Sequence, residues 1–178
     1  MVKELTANIA TKITEEDSGT HRYVLERNWS NKKTATMATI LTLYPSTSEL
    51  IITDTTTKLI TNNIYKLGYE GFFSVNLFSK LNFIDPPKNK KLKRNYKTAS
   101  NATNDKYIIE CAKKSDIVIL GYGSLPSKNK QVQIRLDQVM KLLEKEKLMS
   151  KVKTLTDLKE EKCFHPLSTN VRKNWNLI

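Results

Sequence analysis

Four absences narrow what this chain of 178 residues can be. It holds only two cysteines, Cys111 and Cys163, far apart in sequence, which suits a reducing cytoplasm and gives no basis for a disulfide framework. With only two histidines as well, His21 and His165, no metal-ligand spacing exists, and four cysteine ligands for an iron–sulfur cluster are lacking. Neither a metal nor another cofactor is expected. No secretory leader is visible after Met1, where Lys3, Glu4 and Thr6 interrupt any apolar stretch, and no run approaches a membrane span, so a cytoplasmic protein is expected. Outside a secretory route the Asn28-Trp29-Ser30 and Asn101-Ala102-Thr103 sequons carry no meaning.

Acidic residues are also scarce, 18 against 30 lysines and arginines, giving a formal net charge of +12. That excess points to a polyanionic partner, nucleic acid or an acidic protein surface, although a lysine-rich proteome would produce the same balance. The hydrophobic fraction is 39%, yet it is gathered into strands, which argues against disorder throughout. The length suits a single domain.

Residues 1–20 are polar and read as a flexible or short helical arm, followed by one domain over 21–178. His21 to Trp29 alternates as a strand, and Thr36 to Tyr44 reads as a buried central one. Asp54 followed by threonines predicts a helix start, with Leu59, Ile60, Ile64 and Leu67 as its stripe and Gly68 as its stop. Gly71 to Phe78 is a second central strand. Residues 79–100 lack periodicity, carry Pro86-Pro87 and form a long loop. Asp105 to Lys114 is a helix, Asp116 to Tyr122 a strand, Lys130 to Lys147 a helix and Val152 to Leu155 a short strand. Asp157 to Lys162 is a turn, and the chain ends in a helix or tail with Trp175. Strands separated by helices give an α/β domain of three layers, α/β/α, around a mainly parallel four-stranded sheet.

Four segments place polar groups or tight turns just past apolar runs: Tyr44-Pro45-Ser46, Asn76-Leu77-Phe78, Gly121-Tyr122-Gly123-Ser124 and His165-Pro166-Leu167-Ser168. In an open α/β sheet the carboxyl ends of parallel strands collect a site. A basic run, Lys88, Lys90, Lys91, Lys93, Arg94 and Lys97, falls in the long loop and suits phosphate or acidic-protein contact as well as plain solvation.

Two families resemble this pattern. The nearer is a bacterial family of unknown function, domain of unknown function 1643, whose order is matched by Arg22-Tyr23, Leu43-Tyr44-Pro45-Ser46, Asp54-Thr55-Thr56, Asn76-Leu77-Phe78, Asn104-Asp105 and His165-Pro166-Leu167. The more distant is the uracil-DNA glycosylase superfamily, to which the Gly-Ser turn, the His-Pro-Leu turn and Asn76 are similar. That resemblance implies a glycosylase-like fold. It implies a base pocket of Pro45, Ser46, Asn76, Phe78 and His165, with Asn76 reading the base edge. It also implies a DNA- or inhibitor-facing rim of Gly123, Ser124, Lys128, Pro166, Leu167 and Ser168, with Lys91, Lys93 and Arg94. A flipped base is recognised on its edge, and a neutral histidine stabilises charge developing on it.

The departure is Tyr44, which stands where these families carry a catalytic Asp or Asn. A phenol with a pKa of about 10 is neutral at pH 7 and is no carboxylate base. Loss of a general base costs about 10²–10⁴-fold in rate. The expected reading is a glycosylase-like pseudoenzyme with little or no base-excision activity, in which Tyr44 plugs the pocket. Its ligand is DNA or an acidic, DNA-mimicking glycosylase inhibitor, bound as a decoy on a mobile element or phage, and the protein is expected to be a monomer on its own. Two alternatives stay open. One is an active DNA N-glycosylase of altered base specificity, with Asp54 or Glu49 as base, although Asp54 reads more readily as a helix N-cap. The other is a sequence-independent DNA-binding module.

Overall fold

The computed structural model describes residues 2–46, 49–81, 83, 95–157, 159 and 162–178. The strands are β1 (Ala10–Glu15), β2 (Arg22–Asn28), β3 (Met37–Thr42), β4 (Gly71–Asn76), β5 (Ile117–Leu120), β6 (Val152–Thr156) and β7 (Asn176–Leu177); the helices are α1 (Thr55–Lys66), α2 (Ala102–Lys114) and α3 (Lys130–Lys145). Among the described residues the strands form one sheet in the order β1-β2-β4-β3-β5-β6-β7. The inner four, β4-β3-β5-β6, run parallel, while β1, β2 and β7 pair antiparallel outside them. The fold is therefore mixed α/β, and the sheet has seven strands rather than four.

All six residues of β3 and of β4 are buried, as expected of strands covered on both faces. Alternation divides their side chains between two cores. Ala38, Ile40, Phe72, Ile119 and Leu155 meet Ile60 and Ile64 of α1 on one face, with Val171 and Trp175. Leu41, Phe73, Val75, Val118 and Leu120 meet Ile108, Cys111 and Ala112 of α2 and Val132, Leu136, Val139 and Leu143 of α3 on the other.

Three expectations are corrected. The arm over residues 1–20 contains β1, which pairs with β2 from Ala10↔Asn28 to Glu15↔Arg22; its mixed polar pattern belongs to an edge strand and was too weak to read as one. The chain end carries no helix: β7 pairs with β6 and buries Trp175, in a strand too short to show a period. The helix predicted to Lys147 stops at Lys145, because Lys147 turns left-handed (φ 59°) and Leu148 N–H bonds back to the Leu143 carbonyl at 2.9 Å. Of the basic run in residues 79–100, Lys88, Lys90, Lys91, Lys93 and Arg94 lie outside the described residues. Lys97 sits in a single turn of 3₁₀ helix, Tyr96–Thr98.

Candidate functional site at the carboxyl edge of the sheet

The ends of β3, β4 and β5 and the start of the antiparallel β2 share one edge of the sheet. Arg22 opens β2 there and is only 2% exposed. Its guanidinium donates from Nη1 to the Ser46 carbonyl at 2.9 Å and from Nη2 to Asn76 Oδ1 at 3.3 Å. Asn76, the last residue of β4 and 1% exposed, donates in turn from Nδ2 to Thr42 Oγ1 at 2.6 Å. Burial lowers the Arg22 pKa to about 10, against the opposing pull of Asp54 and Glu15. Both ends of the Asn76 amide are thus committed within the protein. It ties β4 to β3 and β2.

A second layer of polar groups holds the backbone that follows. Asn104, fully buried, donates from Nδ2 to the carbonyls of Asn76 at 3.1 Å and Leu77 at 3.3 Å. Arg135 of α3 donates from Nε to the same Leu77 carbonyl at 2.8 Å and pairs through Nη2 with Asp105. Asn101, the N-cap of α2, donates to the Tyr23 hydroxyl at 3.1 Å. The Arg-Tyr, Asn-Leu-Phe and Asn-Asp elements therefore form one connected network, whose donors meet strand-end carbonyls, an amide oxygen, hydroxyls and the Asp105 carboxylate.

Asp54 caps α1, accepting the Thr57 amide at 2.8 Å and the Thr57 hydroxyl at 3.0 Å. Burial pushes its carboxyl up, but hydrogen bonds from the Ser46 side chain, from Thr57 and from the Thr56 amide outweigh burial and hold it below the usual carboxylate value. Asp54 is therefore ionised and occupied by donors, a poor arrangement for accepting a further proton. Glu49 is exposed.

Tyr44 lies elsewhere. Its ring packs against the α2–α3 core, stacked on Phe78 with ring centres 5.5 Å apart and planes 23° apart, and it meets Phe83 at 5.4 Å. Tyr96 completes the cluster, 5.3 Å from Phe78, with its hydroxyl accepting from Asn129 at 3.1 Å. By strand alternation Asn76 points to the α1 side, so Tyr44 and Asn76 occupy different sides of the sheet end. Pro45 is buried, and Ser46 links Arg22 to Asp54.

The two remaining turns meet each other. Gly123 takes a left-handed conformation (φ +74°), which favours glycine, and a Cβ placed there would stand a tight 3.1 Å from the His165 Cβ. Cys163 Sγ donates to the Leu120 carbonyl at 3.4 Å, holding the His165 segment on β5, and Pro166 packs by Gly121. His165 Nδ1 accepts the Leu167 amide at 3.2 Å, which leaves the proton of the neutral ring on Nε2. Burial lowers its pKa, so the ring is neutral at pH 7 and offers an N–H donor. Ser124, Lys128 and Leu167 are exposed and Ser168 half-buried; Lys91, Lys93 and Arg94 lie outside the described residues.

Arg135, Thr42, Phe83 and Tyr96 escaped the sequence reading. Arg135 had a signal: it falls within the inner stripe Val132, Leu136, Val139 of α3, where an arginine must find buried acceptors. The other three look like ordinary strand-end and loop residues.

Fold and site together define a mixed α/β protein with a buried polar lattice at the carboxyl edge of its parallel strands. Residues 22–167 match the family model described as "Protein of unknown function (DUF1643)", and the chain belongs to that family. No curated protein and no solved structure matches it. No helix among the described residues is long and apolar enough to cross a membrane.

Proposed function

We propose that this protein is a binding protein, a uracil-DNA-glycosylase-like pseudoenzyme with little or no base-excision activity, whose ligand is DNA or an acidic protein that mimics it. The observation that carries this reading is the Tyr44–Phe78 stack, 5.5 Å and 23°. A flipped base needs a free aromatic or apolar face to lie against. The Phe78 face next to the strand end is already occupied by the ring that replaces the family Asp or Asn. The two carboxylates nearest in sequence are poor candidates for the missing base: the donors on Asp54 occupy its oxygens and lower its basicity, and Glu49 faces solvent. What supports the glycosylase likeness is the order of the motifs and the neutral His165 ring beside the Gly123 turn. The net charge of +12 supports a polyanionic ligand.

The test is excision of uracil from a labelled oligonucleotide by wild type, Tyr44→Asn and Asp54→Ala. Inactive wild type with measurable release in Tyr44→Asn is the expected outcome. Alkali-labile product from wild type that disappears in Asp54→Ala would make the protein a working glycosylase and end this reading. Calorimetry against a small acidic glycosylase inhibitor tests the protein partner directly.

A further inference from the structure

A cavity of about 280 Å³ lies between α3 and the Tyr96–Thr98 turn, and neither Asn76 nor His165 lines it. Its helical wall is one stripe of α3, Gln131, Ile134, Arg135 and Gln138, spaced i, i+3, i+4 and i+7. Arg135 is the informative member. Its side chain is 8% exposed, and the bonds from Nε to the Leu77 carbonyl and from Nη2 to Asp105 fix the guanidinium plane. Nη1 has no protein acceptor among the described residues and stays open to solvent. A guanidinium buried this far, with two of its three nitrogens committed, keeps one pair of N–H donors already oriented for a ligand. Phe78 and Tyr96 supply the aromatic surface of the cavity. Tyr96 is half-buried, and no other described ring lies flat on it: Phe78 meets it at 54° and Phe83 at 66°.

The donors and acceptors select the occupant. Gln131 and Gln138 are exposed, and their side-chain amides bond to no other described residue, so each offers a donor and an acceptor to the cavity. A carboxylate only accepts, whereas the edge of a nucleobase carries donors and acceptors together. An uncovered tyrosine face suits stacking by any base. The Nη1 donors of Arg135 suit a base carbonyl, and Lys97, an exposed cation lining the same cavity, suits a phosphate. The volume is small for a drug-sized ligand and suits one base. We infer that this cavity binds a nucleotide, free or as one unit of a single strand. Its base lies on Tyr96, its edge meets Gln131, Gln138 and Arg135 Nη1, and its phosphate meets Lys97. A duplex is a poor ligand here, because its bases are stacked and paired. The inference stands apart from the glycosylase reading, since it uses neither Tyr44 nor His165.

The test is an NMR titration of wild type and of the double variant Gln131→Ala/Gln138→Ala, whose sites are exposed enough that the thermal midpoint should not move. The probes are the four deoxynucleoside 5′-monophosphates, their nucleosides, benzoate, a short mixed-sequence single strand and the same strand in duplex. Shift changes at Tyr96, Lys97 and the two glutamine side chains are expected with a monophosphate or with the single strand. The double variant should bind roughly 10-fold more weakly. Binding of a monophosphate assigns a free nucleotide, and binding of the strand alone assigns a unit of nucleic acid; either result upholds the inference. A nucleoside that binds as well as its monophosphate, or benzoate that matches them, overturns it. Duplex that binds more tightly than the single strand overturns it too, and so does the absence of binding. Binding that the double variant leaves unchanged also overturns it, while keeping DNA as a ligand and placing it elsewhere on the protein.

Discussion

The carbonyl of Leu77 accepts from two side chains that come from different helices, Asn104 Nδ2 at 3.3 Å and Arg135 Nε at 2.8 Å. Removing either donor leaves the other on the Leu77 carbonyl, whereas their combination removes both. Asn104→Ala deletes the bonds to Asn76 and Leu77 at a fully buried site and is expected to cost about 2–3 kcal/mol. Arg135→Met keeps much of the stem but loses the Nε bond and the pair with Asp105. Because Asp105 is a third exposed, the cost is expected near 2–3 kcal/mol, below that of breaking a fully buried pair. In the double variant Leu77 loses both of these donors, and the double-mutant cycle should show about 1–2 kcal/mol beyond the sum. Urea unfolding by circular dichroism gives all four free energies, provided the denaturant slope is unchanged. A cycle that closes within about 0.5 kcal/mol would refute the claim that the two helices share one essential acceptor.

Two further outcomes follow from the meeting of the Gly123 and His165 turns. Gly123→Ala combines a left-handed backbone with a 3.1 Å approach to the His165 Cβ, so it should destabilise by about 1–3 kcal/mol and shift the His165 ring resonances, while a spectrum identical to wild type would deny the contact. The His165 pKa is lowered from 6.5 by burial, so the unfolded chain binds that proton more readily than the folded one. The stabilising difference is complete above the unfolded pKa and is lost as pH falls toward the folded one. Urea midpoints measured downward from about pH 8 should therefore fall more for wild type than for His165→Asn, and the ring should titrate below 6.5 by NMR; parallel pH curves would contradict the burial.

Much of the scaffold could be read from pattern because burial on two faces leaves a simple imprint. Met37–Thr42 and Gly71–Asn76 are runs bounded by turn residues, and the stripe Val132, Leu136, Val139, Leu143 has helical spacing. Asp54 announced its helix and does cap it. The parts that failed lie where the imprint is thin. β1 is an edge strand whose burial alternates only partly, and β7 spans two residues. The α2 start moved from Asp105 to Ala102 because its cap is Asn101, whose side chain accepts the Asn104 amide.

At the site, motif order places several residues at one edge of the sheet without stating how they are used. Asn76 and Arg22 stand at the same edge, as motif order implied, yet the amide expected to face a ligand faces an arginine. Strand parity decides this: a residue at a strand end points to one face or the other, and no motif states which face the ligand takes. Tyr44 illustrates the same limit. Its identity was the visible departure, but only packing shows that the ring lies on Phe78 among the α2–α3 aromatics rather than beside Asn76. The lattice of Arg22, Asn76 and Asn104, with Ser46 linking Arg22 to Asp54, ties the ends of β2, β3 and β4 to one another and to the start of α1.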